Sequence, residues 1–514
     1  MSTNQNKSIR ICGANMIFLE CMMKILLIYP KYPDTFWSFK YALKFISKKA
    51  SFPPLGLLTV AAMLPDEWEK RLVDMNVAGL TDDDLRWADY AFISAMIVQK
   101  KSVKEVIHKC KEFNVKVVAG GPLFTTGHEE FEGVDFFVLN EAENTLPVFL
   151  EDFNRGRAQK IYTSKEWPDI KKTPSPQWNL INKKKYASMS IQYSRGCPYN
   201  CEFCDIIVLN GHRPRTKSKT QILAELEAIY NLGWRGGVFF VDDNFIGNKR
   251  TLKKELLPSL IDWMKEKKYP FYFLTETSIN LSDDDELIKS MVKAGFRRVF
   301  IGIETPNEDS LSECNKYLNK NRDLLACVKK IQNLGLEVQG GFIVGFDSDT
   351  PSIFEKQIKF IQNSGIVTAM VGLLNAPRGT QLYQRLKKEG RLLGGSSGDN
   401  TDFSLNFIPK MNHETLINGY KKILDTIYSP KHYYKRVRTF LKQYRPKKFD
   451  KKTYFKFCYV SAFLKSIWLL GIQGKERFQY WKLIIWTLVR RPYCIGISIS
   501  FAIYGFHFRK IAGI

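Results

Sequence analysis

Cys197-Pro-Tyr-Asn-Cys201-Glu-Phe-Cys204 is the stretch on which the reading of this chain turns. It spaces its cysteines C-x3-C-x2-C. Three thiolates this close can ligate three irons of a four-iron cube, which normally takes four cysteines. The fourth iron is left open, and an open coordination position is where a metal centre does chemistry. A structural zinc site would need a fourth ligand from a second knuckle, and none follows; the next histidine is His212. Three buried apolar cysteines are the other plain reading, but chance rarely produces this spacing.

Downstream, strand and helix signals alternate six times. Strands are expected near Met189–Tyr193, Gly237–Asp242, Phe271–Thr275, Arg298–Glu304, Val338–Phe346 and Ala369–Asn375. Helices are expected near Lys219–Leu232, Thr251–Lys267, Asp283–Ala294, Asn321–Leu334, Ser352–Gln362 and Thr380–Lys388, with glycines 233, 295, 335 and 365 ending turns. The cysteine loop, entered through Ser194-Arg195-Gly196, follows the first strand. This combination resembles the radical S-adenosylmethionine (SAM) enzymes and their (β/α)6 partial barrel.

The resemblance implies a [4Fe–4S] cluster on Cys197, Cys201 and Cys204, with SAM chelating the open iron. It also assigns other residues at the strands' carboxyl ends. Asp242, Asp243 and Asn244 stand where that family has a Gly-Gly-Glu segment facing the SAM amino group, a plain departure from the pattern. Glu304 would reach the ribose or amino group. Gly341-Phe-Ile-Val-Gly345 would lie along the adenine, and Asn375 closes the sixth strand. Arg213 and Arg215 are candidates for the SAM carboxylate or for solvent. Phe239, Phe240, Phe271, Phe273 and Phe300 lie on strands and read mainly as core.

Upstream, residues 24 to about 156 alternate short apolar strands with helices, which predicts a doubly wound parallel sheet. Such a sheet binds its ligand at the carboxyl ends of the strands. Those ends carry Asn76, Ser94, Gly120, Gly121 and Glu141. Placed directly before a radical-SAM signature, this domain resembles a cobalamin-binding domain. No D-x-H-x-x-G motif supplies a histidine to cobalt; His108 reads as a surface residue and His128 as a remote candidate.

The chain has 514 residues and a net charge of +25. Residues 431–514 hold 19 Lys and Arg against two acidic residues, so the charge gathers at the C-terminus. The seven other cysteines are scattered singly, which excludes a disulfide scaffold and suits a reducing cytoplasm. Pro492–Phe508 carries no formal charge but is marginal as a membrane span, so a buried or interfacial helix is expected. Basic residues among Trp, Tyr and Leu point to an anionic lipid surface and away from nucleic acid; the plain alternative is a helical cap over the barrel. The expected organisation is an extension over 1–22, a cobalamin domain over 23–156, a linker over 157–186, a radical SAM domain over 187–390 and a helical C-terminal domain over 391–514.

Ser194–Asp205, Arg213–Thr216, Leu232–Gly236 and Val241–Lys249 together resemble the subgroup of B12-binding radical SAM proteins that contains the hopanoid C-2 methylase. That resemblance implies cleavage of SAM to a 5′-deoxyadenosyl radical, hydrogen removal from an unactivated carbon and methyl delivery from methylcobalamin. It also implies an electron donor of the flavodoxin or ferredoxin type. The expected enzyme is a C-methyltransferase acting on an apolar, hopanoid- or isoprenoid-like lipid, peripheral on the inner face of the membrane. The alternatives are cyclisation or ring rearrangement without methyl transfer, and a non-catalytic cluster-bearing adaptor.

Overall fold

The structure, a computed structural model, describes residues 23–399, 401–446 and 457–514. The 1–22 extension, with Cys12 and Cys21, lies outside the described residues.

The first sheet has strands β1 (Lys24–Tyr29), β2 (Glu69–Asp74), β3 (Tyr90–Ser94), β4 (Lys116–Gly120), β5 (Phe136–Val138) and β6 (Ile161–Tyr162). All pairings are parallel, in the order β2-β1-β3-β4-β5-β6. β6 comes from the stretch read as a linker, so the sheet is one strand wider than the sequence suggested. Ile25 and Leu27 pack into one core and Leu26 and Ile28 into another. Side chains alternate across a strand, so both faces of this sheet are covered, as a parallel sheet requires. Its helices include α1 (Leu55–Ala61), α2 (Lys100–Glu112), α3 (Pro122–Gly127) and α4 (Ala142–Asn154). The strand order reverses between β1 and β3, and that switch point opens a crevice at the strands' carboxyl ends.

The second sheet begins with β7 (Ser188–Ile191). A short antiparallel pair follows, β8 (Ser194–Arg195) with β9 (Arg215–Thr216). The sheet continues with β10 (Gly236–Phe240), β11 (Phe271–Thr277), β12 (Phe296–Glu304), β13 (Glu337–Val344) and β14 (Ala369–Leu373). Its order is β14-β13-β12-β11-β10-β7, parallel throughout, which is the expected six-unit partial barrel. The helices between strands are α5 (Lys219–Asn231), α6 (Leu257–Glu266), α7 (Asp285–Ala294), α8 (Leu324–Asn333) and α9 (Ile353–Ser364), with α10 (Gln381–Lys388) after β14. The single helix expected over Thr251–Lys267 contains a π-helical turn at Leu252–Leu256 before α6.

Beyond the barrel lie α11 (His413–Tyr428), α12 (Pro430–Gln443), α13 (Phe457–Ser466), α14 (Arg477–Arg490) and α15 (Ile495–Ala512). α11 hangs on the last barrel strand: Tyr420 donates to the Val371 carbonyl (3.0 Å) and Tyr428 to that of Ala369 (2.5 Å). The Leu393–Asp399 connection runs into a short antiparallel contact between Leu392 and Phe407. Among the described residues no helix is long and apolar enough to cross a membrane. The uncharged 492–508 stretch is mostly α15, whose Phe501, Ala502 and Phe508 are buried. It packs against the loop after β1: Phe508 stacks on Phe36 with centroids 4.3 Å apart. Of the single cysteines, Cys110, Cys314 and Cys494 are buried as expected, while Cys327 is only partly so.

His507 on α15 joins this contact. Its Nε2 bonds to the Phe36 carbonyl (3.0 Å), and its Nδ1 is buried without a partner. Burial pushes its pKa down to about 4. A second proton would sit on Nδ1 among the Phe39 and Phe508 rings, so the neutral form holds this junction. Because the folded value lies below the unfolded one of about 6.5, this stability is present above pH 6.5 and is lost as pH falls toward 4. Urea midpoints should therefore drop through that window. His507→Asn should flatten the drop; an unchanged slope would remove His507 as its origin.

Candidate active site

β8 and β9 clamp the base of the cysteine loop. Gly196 turns the chain out of β8 with φ +93°; a Cβ there would lie 2.7 Å from the Arg213 carbonyl oxygen. Only glycine meets both demands. The three thiols are buried or half-buried, and burial pushes the pKa of each upward. Thiolates in such surroundings exist when a metal takes them. Asn244 Nδ2 lies 4.0 Å from Cys197 Sγ and donates to Ser278 Oγ (3.2 Å). Lys316 feels both Cys201 and Cys204 and is ion-paired to Glu304 at 2.9 Å. Three thiols, an amide directed at one of them and a nearby ammonium suit a negatively charged cluster. A cube places each thiolate on its own iron, so the sulfurs need not converge on a point as they would around one ion.

The acidic segment after β10 divides its work. Asp242 is buried and accepts from Tyr193 N (3.1 Å), Ser194 N and Ser194 Oγ (2.5 Å). Burial nevertheless holds its pKa up at about 7. Asp243 accepts from Gly196 N (2.8 Å) and Asn210 Nδ2 (3.0 Å). Both carboxylates thus brace the entry to the cysteine loop, and Asn244 faces the sulfur. Glu304 ends β12 in the left-handed region (φ 63°), uncommon for a residue with a Cβ. Gly341 lies against the Phe300 ring, Gly345 donates its N–H to Asp349 (2.9 Å), and Asn375 caps the carboxyl end of β14.

At the switch point of the first sheet, Ser94 ends β3 and Gly120–Gly121 end β4. Gly121 has φ +88°, and a Cβ there would strike Ser94 Oγ at 2.4 Å. At Gly120 a Cβ would meet the Val138 carbonyl oxygen at 2.5 Å, so both glycines are required by the close approach of neighbouring strand ends. Asn76 is bound into the β1 and β2 ends through Tyr32 N (3.0 Å) and Asp74 Oδ1 (2.9 Å). Neither histidine of this domain ends a strand: His108 pairs with Glu112 on the outside of α2, and His128 packs on Phe137.

Glu141 has a job the sequence did not reveal. Its two oxygens accept from Arg195 and Arg215, the latter at 2.6 Å. Glu143 grips Arg195 as well, at 2.8 Å. All three of the pairs join the first domain to the two strands bracketing the cysteine loop, and their side chains are mostly buried. Arg215 is therefore committed to protein.

Two segments of the chain match family models: the radical SAM superfamily over residues 191–361 and a B12-binding domain over 46–150. A domain of unknown function (DUF4070) matches 380–514. The hopanoid C-2 methylase of Rhodopseudomonas palustris is 33% identical, over 91% of this chain and 90% of its own length. The chain belongs to the B12-binding radical SAM family. An uncharacterized methyltransferase of Synechocystis is 43% identical over 95% of this chain and 91% of its own. Among solved structures, the cobalamin-dependent SAM radical enzyme OxsB shares the fold at 15% identity, with a TM-score of 0.62 over 96% of this chain and 84% of that one. The protein is a radical SAM enzyme of the cobalamin-dependent methyltransferase family. Its cofactors are a [4Fe–4S] cluster, SAM and cobalamin.

Sequence reasoning missed Glu143, Ser278, Lys316 and Glu276. None belongs to a recognisable string; each is brought in by the fold. Glu276 sits on β11, and burial, with Asp243 and Asp242 nearby, pushes its carboxyl up to about 8, so it is largely a neutral acid at pH 7.

Gly196→Ala should fold but, after anaerobic reconstitution, retain well under half the iron of the parent, with cobalamin uptake unchanged. Arg195→Met strips Glu143 of its guanidinium partner. A broken buried pair costs about 3–5 kcal/mol, so a lower thermal midpoint is expected with the iron loss. Full iron content in both variants would contradict this account of the loop.

Proposed function

We propose that the protein transfers a methyl group to an unactivated carbon of an apolar, polycyclic or isoprenoid lipid. The observation that carries this reading is an aromatic wall assembled at the inner face of the partial barrel. On β10 the residues flanking Phe239 point outward into the helix-packed core, and on β12 Val299 and Ile301 do the same. Alternation turns Phe239 and Phe300 to the opposite side, where both are half-buried. Phe52 meets Phe239 with centroids 5.1 Å apart, and Trp37 meets Phe300 at 5.5 Å. Tyr504 of α15 extends the wall through Phe39, 5.2 Å away. The first domain, the barrel and the C-terminal helix each contribute rings. Of the five strand phenylalanines, Phe240, Phe271 and Phe273 are core, and these two are not.

Such a surface suits a large ring system without charge, with few polar groups to orient it. The cofactors supply a carbon-centred radical and a transferable methyl group when bound. The chain supplies the rest. Cys197, Cys201 and Cys204 hold the cluster beside Asn244 and Lys316. Ser94, Gly120 and Gly121 lie at the carboxyl ends of β3 and β4, the edge of the first sheet where cobalamin would bind, and Glu304 and the Gly341–Gly345 strand would face SAM. Aromatic side chains exclude water from the radical. The hopanoid C-2 methylase among its relatives supports the lipid class, and the basic C-terminal region supports action at a membrane surface with an external reductant.

Anaerobic holoenzyme given a reductant, SAM labelled in its methyl group and extracted membrane lipid should yield labelled lipid heavier by one methylene, together with 5′-deoxyadenosine. Cys204→Ala should yield neither. Trp37→Ala should keep 5′-deoxyadenosine formation while raising KM for lipid about tenfold. Deoxyadenosine with an isomerised or cyclised lipid, and no label in it, would replace methyl transfer by rearrangement.

A further inference from the structure

Residues 457–493 break the rule for a surface helix, which buries one face and wets the other. α13 passes through a π-helical turn at Ile467–Ile472 and the chain then reverses into α14. The inward face is ordinary: Tyr480, Leu483, Ile484 and Thr487 are buried. Tyr480 bonds to Ser466 (2.9 Å) and Trp481 donates to the Gly471 carbonyl (2.9 Å), so the two arms form one hairpin.

The outward face is also apolar. Leu464, Trp468 and Ile472 recur every four residues and are each at least half exposed. On α14, Phe478, Trp481, Ile485, Leu488 and Val489 fall within about 100° of arc at 3.6 residues per turn. Phe478 is 75% exposed and Val489 73%. Of the 21 exposed large apolar side chains among the described residues, 11 lie between Tyr459 and Tyr493. A soluble surface does not concentrate them this way without a partner.

The rim says which partner. Lys475, Arg477, Lys482 and Arg490 are exposed around the apolar face. The one acid in 457–493, Glu476, is buried and paired with Arg509 (2.5 Å). The rim is therefore positive and uncompensated. A second copy would bring the same charges against it, whereas anionic headgroups neutralise them while the rings and aliphatic chains enter the acyl boundary.

We propose that the α13–α14 hairpin docks the enzyme on an anionic bilayer, lying in the interface without crossing it. This extends the reading of a membrane-lipid substrate and relocates the contact from the uncharged 492–508 stretch, which from Ile497 on is buried or half-buried, to the neighbouring hairpin. α14 packs on α15, which carries Tyr504 to the aromatic wall, so docking here presents the barrel's lipid-facing side to its supply.

The test uses the full-length holoenzyme and vesicles of phosphatidylcholine with or without phosphatidylglycerol. The parent should float with the anionic vesicles, weakly with the neutral ones, and less at about 1 M salt, where the screening length is about 3 Å. Phe478→Glu with Val489→Glu, both at largely exposed positions, should cut flotation at least tenfold with circular dichroism and cobalamin content unchanged. Parent enzyme that stays unbound, or a double variant that floats as well as the parent, overturns the proposal. So does light scattering that shows a parent dimer and a variant monomer with no vesicle binding, because the face then belongs to a second copy. Flotation of the parent without labelling of any lipid would leave docking intact and sink the substrate reading instead. A double variant active on detergent-dispersed lipid but not on vesicles would support docking as separate from catalysis.

Discussion

Everything functional in this molecule depends on a buried charge cluster at the junction of two sheets. Glu141 and Glu143, at the start of a helix in the first domain, hold Arg195 and Arg215 on either side of the cysteine loop. Removing one member leaves a desolvated charge, so the cluster works as a unit. It fixes the carboxyl end of β5 in one sheet against the cysteine loop of the other. Trp167 reinforces the junction, its ring lying beneath the Arg215 guanidinium and against Gly211. On the far side of the loop, Arg385 of α10 grips Glu202 at 2.6 Å.

The carboxylates after β10 show how one short string can serve several purposes. Asp242 and Asp243 turn inward and accept backbone N–H groups of the strand that becomes the cysteine loop. Asn244 alone faces the sulfur. A buried carboxylate is tolerated only with such donors, and here the donors belong to the loop that must be shaped. At the C-terminus, α15, uncharged as far as Phe508, is largely core, and the helix before it, richer in charge, bears the outward apolar face.

Much of the fold was legible in the sequence. The six barrel strands lie within a few residues of where their apolar runs place them, and the glycines at 295 and 365 do end helices in left-handed conformation. Both sheets are parallel, and their strands alternate with helices that cover them. The C-x3-C-x2-C spacing is local in sequence and could be read there. Glu141 was legible as a strand-end residue but not in its partner, because Arg195 and Arg215 are 54 and 74 positions away.

By itself, then, the sequence determined what is periodic or local: the alternation of strands and helices, the C-x3-C-x2-C loop, the glycine turns and the basic bias of the last domain. Tertiary structure alone decided which carboxylates brace and which residue faces the cluster. It also decided that Phe239 and Phe300 line an inner wall with Trp37 and Tyr504, and that the exposed apolar ridge lies between Tyr459 and Tyr493. The physical reason is common to all of these. Apolar periodicity states that a side chain will be buried or paired, but the partner lies tens to hundreds of residues away, and only the partial barrel with its two flanking domains brings the two within van der Waals reach.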